Sequence, residues 1–205
     1  STSGRGRGEG ITLANDNNLF DQIDFNSLPN SFVIKCNHGC KWQLIVKNKE
    51  EYLNSKILFN LTRDKFNGWL QQDYSLWGGF EMQYRSIAPK IIIEPLMRDD
   101  IDTPCEEINV YCFNGKNKFI VKQFTDNKDG ITYYREDFEP ITIPVFKTQE
   151  KIIKKEVDEN IYKAVFLAEK LSKEFNFVRV DFQIFKNKLF FQELTFTPYS
   201  GFMSI

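Results

Sequence analysis

Two acidic residues, Asp181 and Glu193, sit inside "RVDFQIFKNKLFFQELTFTP", residues 179–198, a stretch otherwise built like a pair of apolar strands. A three-residue turn at Lys186-Asn187-Lys188 would pair Phe185 with Leu189. Carrying that ladder outward sets Asp181 opposite Glu193 and Arg179 opposite Thr195, all on one side because strand side chains alternate with period two. The other side then holds Val180, Phe182, Ile184, Phe190 and Leu194 as core. Directly opposed side chains have Cβ atoms roughly 4.5–5.5 Å apart, and like charges there destabilise a sheet. Three devices could offset the repulsion: a shared proton, the nearby cation of Arg179, or a divalent metal that accepts both carboxylates. Mg²⁺ suits the third, since it usually takes one or two protein carboxylates and fills its shell with water and phosphate oxygens. The plainer alternative is a solvated face on which these side chains point into water. A two-residue turn would shift the register by one and separate the pair.

A second set lies in "SFVIKCNHGCKW", residues 31–42. Lys35 interrupts an apolar strand on the face of Val33. An enclosed lysine needs an anion, so a buried Lys35 points to a carboxylate or phosphate, whereas on an edge strand it simply reaches out to water. Asn37-His38-Gly39 supplies turn chemistry and backbone N–H groups suited to phosphate oxygens. Cys36, His38 and Cys40 lack a second Cys/His pair for structural zinc, and a single histidine cannot readily serve a histidine-based triad. In "PKIIIEPLM", residues 89–97, an apolar strand ends at Glu94-Pro95. Backbone released at such a point can read a flat base such as adenine, although an ordinary strand end accounts for it equally.

These groups need sheets to hold them. A chain of 205 residues with 41% hydrophobic and 15% aromatic content can build one good-sized core or two small α+β lobes. Its 27 Lys+Arg nearly cancel 28 Asp+Glu, which leaves no global field for nucleic acid or an anionic membrane. No apolar run approaches bilayer length and no signal-peptide plan is present, so a cytoplasmic protein with reduced cysteines and no transmembrane segment is expected. Strands are expected near 31–36, 43–47, 90–95, 107–113, 117–124, 131–135, 177–185 and 189–195, with a hairpin turn at Asn114-Gly115. One helix is expected near 55–72, with Leu58, Leu61, Lys65, Trp69 and Gln72 on neighbouring turns. Another is expected near 156–175, with Val157, Ile161, Ala164, Val165, Ala168, Leu171 and Phe175 inward and Lys and Glu outward. This order predicts an α+β fold with mainly antiparallel sheets: a flexible leader over 1–19, a small lobe over 20–95 and a larger lobe over 96–205 that carries the acidic hairpin. The glycine-rich start and the closing "SGFMSI" read as a mobile tail and a cut or short end.

Four segments in the same order, "IDFNSLPNSFVIKCNHG", "QYRSIAPKIIIEPL", "YCFNGKNKFI" and "LAEKLSKEFNFVRVDFQIFKNKLFFQELTFTPYSGF", resemble the ATP-grasp superfamily. The resemblance is to its teichuronopeptide-biosynthesis (TupA-like) branch, associated with bacterial surface polysaccharides, and covers roughly residues 20–203. It implies two α+β lobes gripping ATP with Mg²⁺. Lys35 would contact the nucleotide phosphates, and Asn37, His38, Gly39 and Lys41 would belong to the loop that covers them. Glu94 and Leu96 would form the adenine-side hinge. Asp181 and Glu193 would hold Mg²⁺, with Arg179 beside the reacting phosphoryl or acyl-phosphate oxygens. The implied activity is a carboxylate–amine ligase whose partners are a carboxylate and an amine, with a sugar acid and an amino acid as candidates. Members of the branch are also described as glycosyltransferases, although none of these residues points to sugar transfer. The chain departs from the pattern at Gly39-Cys40-Lys41-Trp42, where small residues are usual, at Asn109, where a basic residue is common, and at Thr195, where the wider superfamily often has asparagine. The superfamily also places an N-terminal lobe and another lysine upstream, so a fragment or an incomplete nucleotide site is expected. A non-catalytic nucleotide-binding domain and a scaffold with a solvated acidic face are the rival expectations.

Overall fold

The computed structural model of the chain describes residues 11–12, 19–76, 81–97, 105–124, 130–141 and 157–198. The closing "SGFMSI" and much of the expected leader and inter-lobe division lie outside them. Two compact units are present, Ser1–Met97 and Arg98–Ile205. No helix among the described residues is long and apolar enough to cross a membrane.

The first unit holds a four-stranded antiparallel sheet in the order β1-β4-β2-β3, with β1 Ile11–Thr12, β2 Phe32–Cys36, β3 Gln43–Val46 and β4 Ile91–Pro95. Strand alternation buries Phe32, Ile34 and Cys36 with Ile91 and Ile93 on one face. Burial pushes the Cys36 thiol up to about 12, so it packs as a small hydrophobe. Two helices follow β3. α1, Lys49–Asn54, is N-capped by Asn48, and α2, Lys56–Leu70, by Ser55. The inward stripe of α2 differs from the expected one. Leu58 and Leu61 are 44% and 63% exposed, while Thr62 and Phe66 are buried and Phe59, Trp69 and Leu70 pack on the core. That rotation brings Phe59 and Phe66 against Phe20, with ring centroids 5.6 and 5.8 Å away, and aromatic rings bury more apolar area than the leucines they displace. Thr62 satisfies its hydroxyl by donating to the Leu58 carbonyl at 2.8 Å.

The second unit holds a six-stranded antiparallel sheet in the order β10-β9-β5-β6-β7-β8. Its elements are β5 Glu106–Phe113, β6 Lys116–Phe124, β7 Ile131–Arg135, β8 Pro140–Ile141, α3 Glu159–Leu171, β9 Phe177–Phe185 and β10 Lys188–Thr195. The β5–β6 turn is Asn114-Gly115, with φ of 48° and 73°, the left-handed pair that a two-residue hairpin demands. One face of the sheet, with Ile108, Val110, Cys112, Ile120, Tyr134, Val178, Val180 and Phe182, packs on Ile161, Ala164, Val165 and Ala168 of α3. Two alanines on that stripe let the helix lie close to the strands. Leu171, expected on the stripe, is 43% exposed at the last turn, and the outer side of α3 carries exposed Tyr162 and Phe166 besides its charges. Asp158 caps α3 by accepting from the Asn160 and Ile161 N–H groups and also meets buried Lys122, which pairs with Glu106 at 2.7 Å. The opposite face carries a smaller apolar cluster of Tyr111, Phe119, Val121, Ile131 and Tyr133.

Candidate active site

Alternation along "EEINVYC" puts Ile108, Val110 and Cys112 on the α3 face of the second sheet. It leaves Glu107, Asn109 and Tyr111 on the other, across from Gln183, Asp181 and Arg179 of β9. β10 completes this face, with Glu193 opposite Asp181 and Thr195 opposite Arg179.

The pairing is reached by a different route from the expected one. The β9–β10 turn has two residues, not three: Phe185 pairs with Lys188, and Lys186 and Asn187 take φ of 49° and 57°. This register places Leu189 opposite Ile184 and Phe191 opposite Phe182, so Phe190 pairs with Gln183 on the Asp181 face and not on the core face. A β-bulge between Phe191 and Glu193 then absorbs one residue, Gln192, and the ladder resumes with Asp181 and Glu193 facing. Gln192 Nε2 donates to Gln183 Oε1 at 3.2 Å, which ties the bulged residue to the site side of the sheet.

Asp181 is 2% exposed. Its Oδ1 accepts from Arg179 Nε at 2.7 Å and from Asn109 Nδ2 at 2.8 Å. Its Oδ2 accepts from Arg179 Nη2 at 2.7 Å and from the Thr195 hydroxyl at 2.9 Å. Arg179 Nη2 also donates to Thr195 Oγ1 at 3.2 Å, and the guanidinium lies 5.9 Å from the Tyr111 ring centroid. Burial works against the Arg179 charge, but the hydrogen bonds and charge of Asp181 more than offset it and raise its pKa. Glu107, one step along β5, has its carboxyl pushed above the ordinary value by burial and by the Asp181 charge, against hydrogen bonds from Gln123 and Gln192.

In the first unit Lys35 Nζ meets Glu94 Oε2 at 2.7 Å on the sheet face away from the core, with the two side chains 30% and 39% exposed. Glu94, expected at a base-reading hinge, is therefore the carboxylate partner of Lys35. The Leu96 N–H donates to the Ser31 carbonyl at 3.2 Å. The loop after β2 is fastened at several points. Asn37 donates through Nδ2 to Ala88 O at 3.0 Å and accepts through Oδ1 from Lys90 N–H at 2.7 Å. His38 turns inward, 3% exposed, with Nε2 donating to the Trp69 carbonyl at 2.9 Å; burial lowers its pKa, against the opposing effect of that hydrogen bond. Lys41 is exposed and adopts φ 61°. A Cβ on Gly39 would lie 2.3 Å from the Trp42 ring, which stacks on Trp69 with centroids 5.6 Å apart. Glycine is the residue that lets that ring close over the loop.

Among the described residues no group of three or more His, Cys, Asp and Glu side chains is placed to hold a metal ion. The donor set around Asp181 does fit Mg²⁺ completed by phosphate and water. The buried Asp181 carboxylate, the exposed Glu193 opposite it in the ladder and the Thr195 hydroxyl, 3.4 Å from Glu193 Oε1, are hard oxygens, and beside them the Asn109 Oδ1 is buried without a hydrogen-bond partner. Glu107, Asn109 and Gln192 were not among the expected ligands. Alternation alone could have put Glu107 and Asn109 on one face, but not against Asp181, because the β5–β9 pairing joins segments some 70 residues apart in sequence.

The sequence profile of the family described as TupA-like ATPgrasp matches residues 3–205. No curated protein sequence matches the chain. Among solved structures, the D-alanine–D-alanine ligase from Bacillus anthracis is similar at 20% identity and a TM-score of 0.45, over 92% of this chain and 50% of that one. The D-alanine–D-alanine ligase from Helicobacter pylori is similar at 13% identity and a TM-score of 0.46, over 94% and 50%. The chain thus spans about half the length of these two proteins.

Proposed function

We propose, on the premise that the chain belongs to the TupA-like ATP-grasp family, that it acts as an ATP- and Mg²⁺-dependent carboxylate–amine ligase in the assembly of bacterial surface polysaccharide. The observation that carries this is the buried Asp181, facing Glu193 and held by Arg179, in a chain of that family. ATP would transfer its γ-phosphoryl group to a substrate carboxylate, giving an acyl-phosphate and ADP. An amine would then attack the acyl carbon, forming the amide bond and releasing phosphate and a proton. The carboxylate and amine are best sought among sugar acids and amino acids.

Asp181 and Glu193 would hold Mg²⁺, which when bound neutralises phosphate charge. Lys35, paired with a half-exposed carboxylate, can exchange Glu94 for a phosphate oxygen at small cost. The loop carrying Asn37, His38, Gly39 and Lys41 would cover the phosphates with backbone N–H groups, His38 acting as its inward anchor. Glu94 and Leu96 remain the proposed base-side positions, and Arg179 the cation for the transferring group. ATP with Mg²⁺ is expected to raise the melting temperature of the full chain, and the double substitution Asp181→Asn, Glu193→Gln to abolish the rise. ADP release across a panel of sugar acids paired with amino acids then identifies the substrates. An unchanged melting curve would remove the nucleotide site, and nucleotide binding without ADP release would leave a binding domain.

A further inference from the structure

An ionised carboxylate offers about four lone-pair positions to donors. In Asp181 four protein donors occupy them: Arg179 Nε and Asn109 Nδ2 on Oδ1, Arg179 Nη2 and the Thr195 hydroxyl on Oδ2. A metal ion therefore reaches Asp181 only by displacing one of them. Asn109 and Thr195 are neutral and give one hydrogen bond each. Arg179 gives two and carries the positive charge that compensates a carboxylate only 2% exposed. Once a divalent ion lies against Asp181 that compensation is redundant, and a guanidinium held at 2.7 Å from the same oxygens is repelled by the ion.

We propose that Arg179 is the resident counter-cation of Asp181 and that a divalent metal ion and the Arg179 guanidinium exchange for the same carboxylate. This rests on Asp181 and Glu193 being the metal pair of the proposed ligase. The exchange gives the site an order of events. Without nucleotide the arginine guards Asp181 and metal uptake is weak. When metal arrives with phosphate, the released guanidinium acquires an anionic partner at the moment the carboxylate loses its need for one.

The test uses the full chain, with Mn²⁺ as probe in calorimetric titration and no nucleotide. Arg179→Lys keeps a buried positive charge but replaces the two-donor planar group with a single point donor. Its Mn²⁺ affinity is expected to exceed that of the wild type by roughly tenfold or more, the worth of one charge-assisted hydrogen bond. A second readout needs no variant to fold: in ¹⁵N-arginine-labelled wild-type protein, Mg²⁺ should shift the Arg179 Nε–H resonance and remove its protection from exchange. Unchanged or weaker Mn²⁺ binding in Arg179→Lys, with the Arg179 resonance undisturbed and Asp181→Asn still abolishing metal binding, would overturn the exchange and leave the metal pair standing. Failure of wild type and Arg179→Lys alike to bind Mn²⁺, even with ATP present, would overturn the metal pair and the exchange together.

Discussion

Lys35–Glu94 in the first unit and Arg179–Asp181 in the second share a closest approach of 2.7 Å. Their surroundings differ. The first pair is 30% and 39% exposed, a point charge against a carboxylate that water already solvates; the second is 17% and 3% exposed. A pair like the first contributes about 0–1 kcal/mol and gives up its partner readily. In the second, neither charge can be left alone, because the desolvation cost of each is offset mainly by the other. Distance therefore says little about what an ion pair does. Solvent access and donor number decide whether a charge can give up its partner to water, as Lys35 and Glu94 can, or only to another ion that replaces it, as at Asp181.

The comparison breaks or sharpens on three measurements. The largest effect is expected for Arg179→Met, which strands a buried carboxylate and should lower the unfolding free energy by roughly 3–5 kcal/mol in urea denaturation. A loss under about 1 kcal/mol would put both pairs in one class. A smaller effect is expected from Glu107→Gln. The folded-state pKa of Glu107 is raised, so its contribution is fully present below the ordinary carboxyl value of about 4.3 and is lost as pH climbs through the raised value. Wild-type protein should therefore lose more stability between about pH 4 and neutrality than Glu107→Gln does. Superimposable pH profiles would mean that negative charge near Asp181 is tolerated as easily as at the surface. The smallest effect belongs to Lys35→Met, whose stability should stay within about 1 kcal/mol of wild type while the ATP-induced rise in melting temperature disappears.

Much of this was legible in the sequence where local periodicity governs. The Asn114-Gly115 hairpin, the strand alternation around Phe32 and Ile34 and the Ile161–Ala164–Ala168 stripe need only a few neighbouring residues to specify them. At two places tertiary packing or turn chemistry overrides an equally local pattern. The α2 stripe turned from leucines to Phe59 and Phe66 because Phe20 waits on the other side. The β9–β10 register began one residue off, since Lys186 and Asn187 can make a two-residue turn, and was restored by a bulge that leaves no pattern in the sequence. Asp181 and Glu193 face each other because the shorter turn and the bulge each shift the ladder by one residue and the two shifts cancel. The ring of donors around Asp181 was not legible, because Asn109 arrives from a strand whose place in the sheet is set by long-range pairing.

The seat of Trp42 on Gly39 has its own consequence. The same indole stacks on Trp69, whose carbonyl holds His38, while Asn37 is stitched to Ala88 and Lys90. A side chain at position 39 would therefore press on the Trp42 indole and disturb, through Trp69, the anchor of His38 as well, so Gly39→Ala is felt across the whole turn and not at one residue.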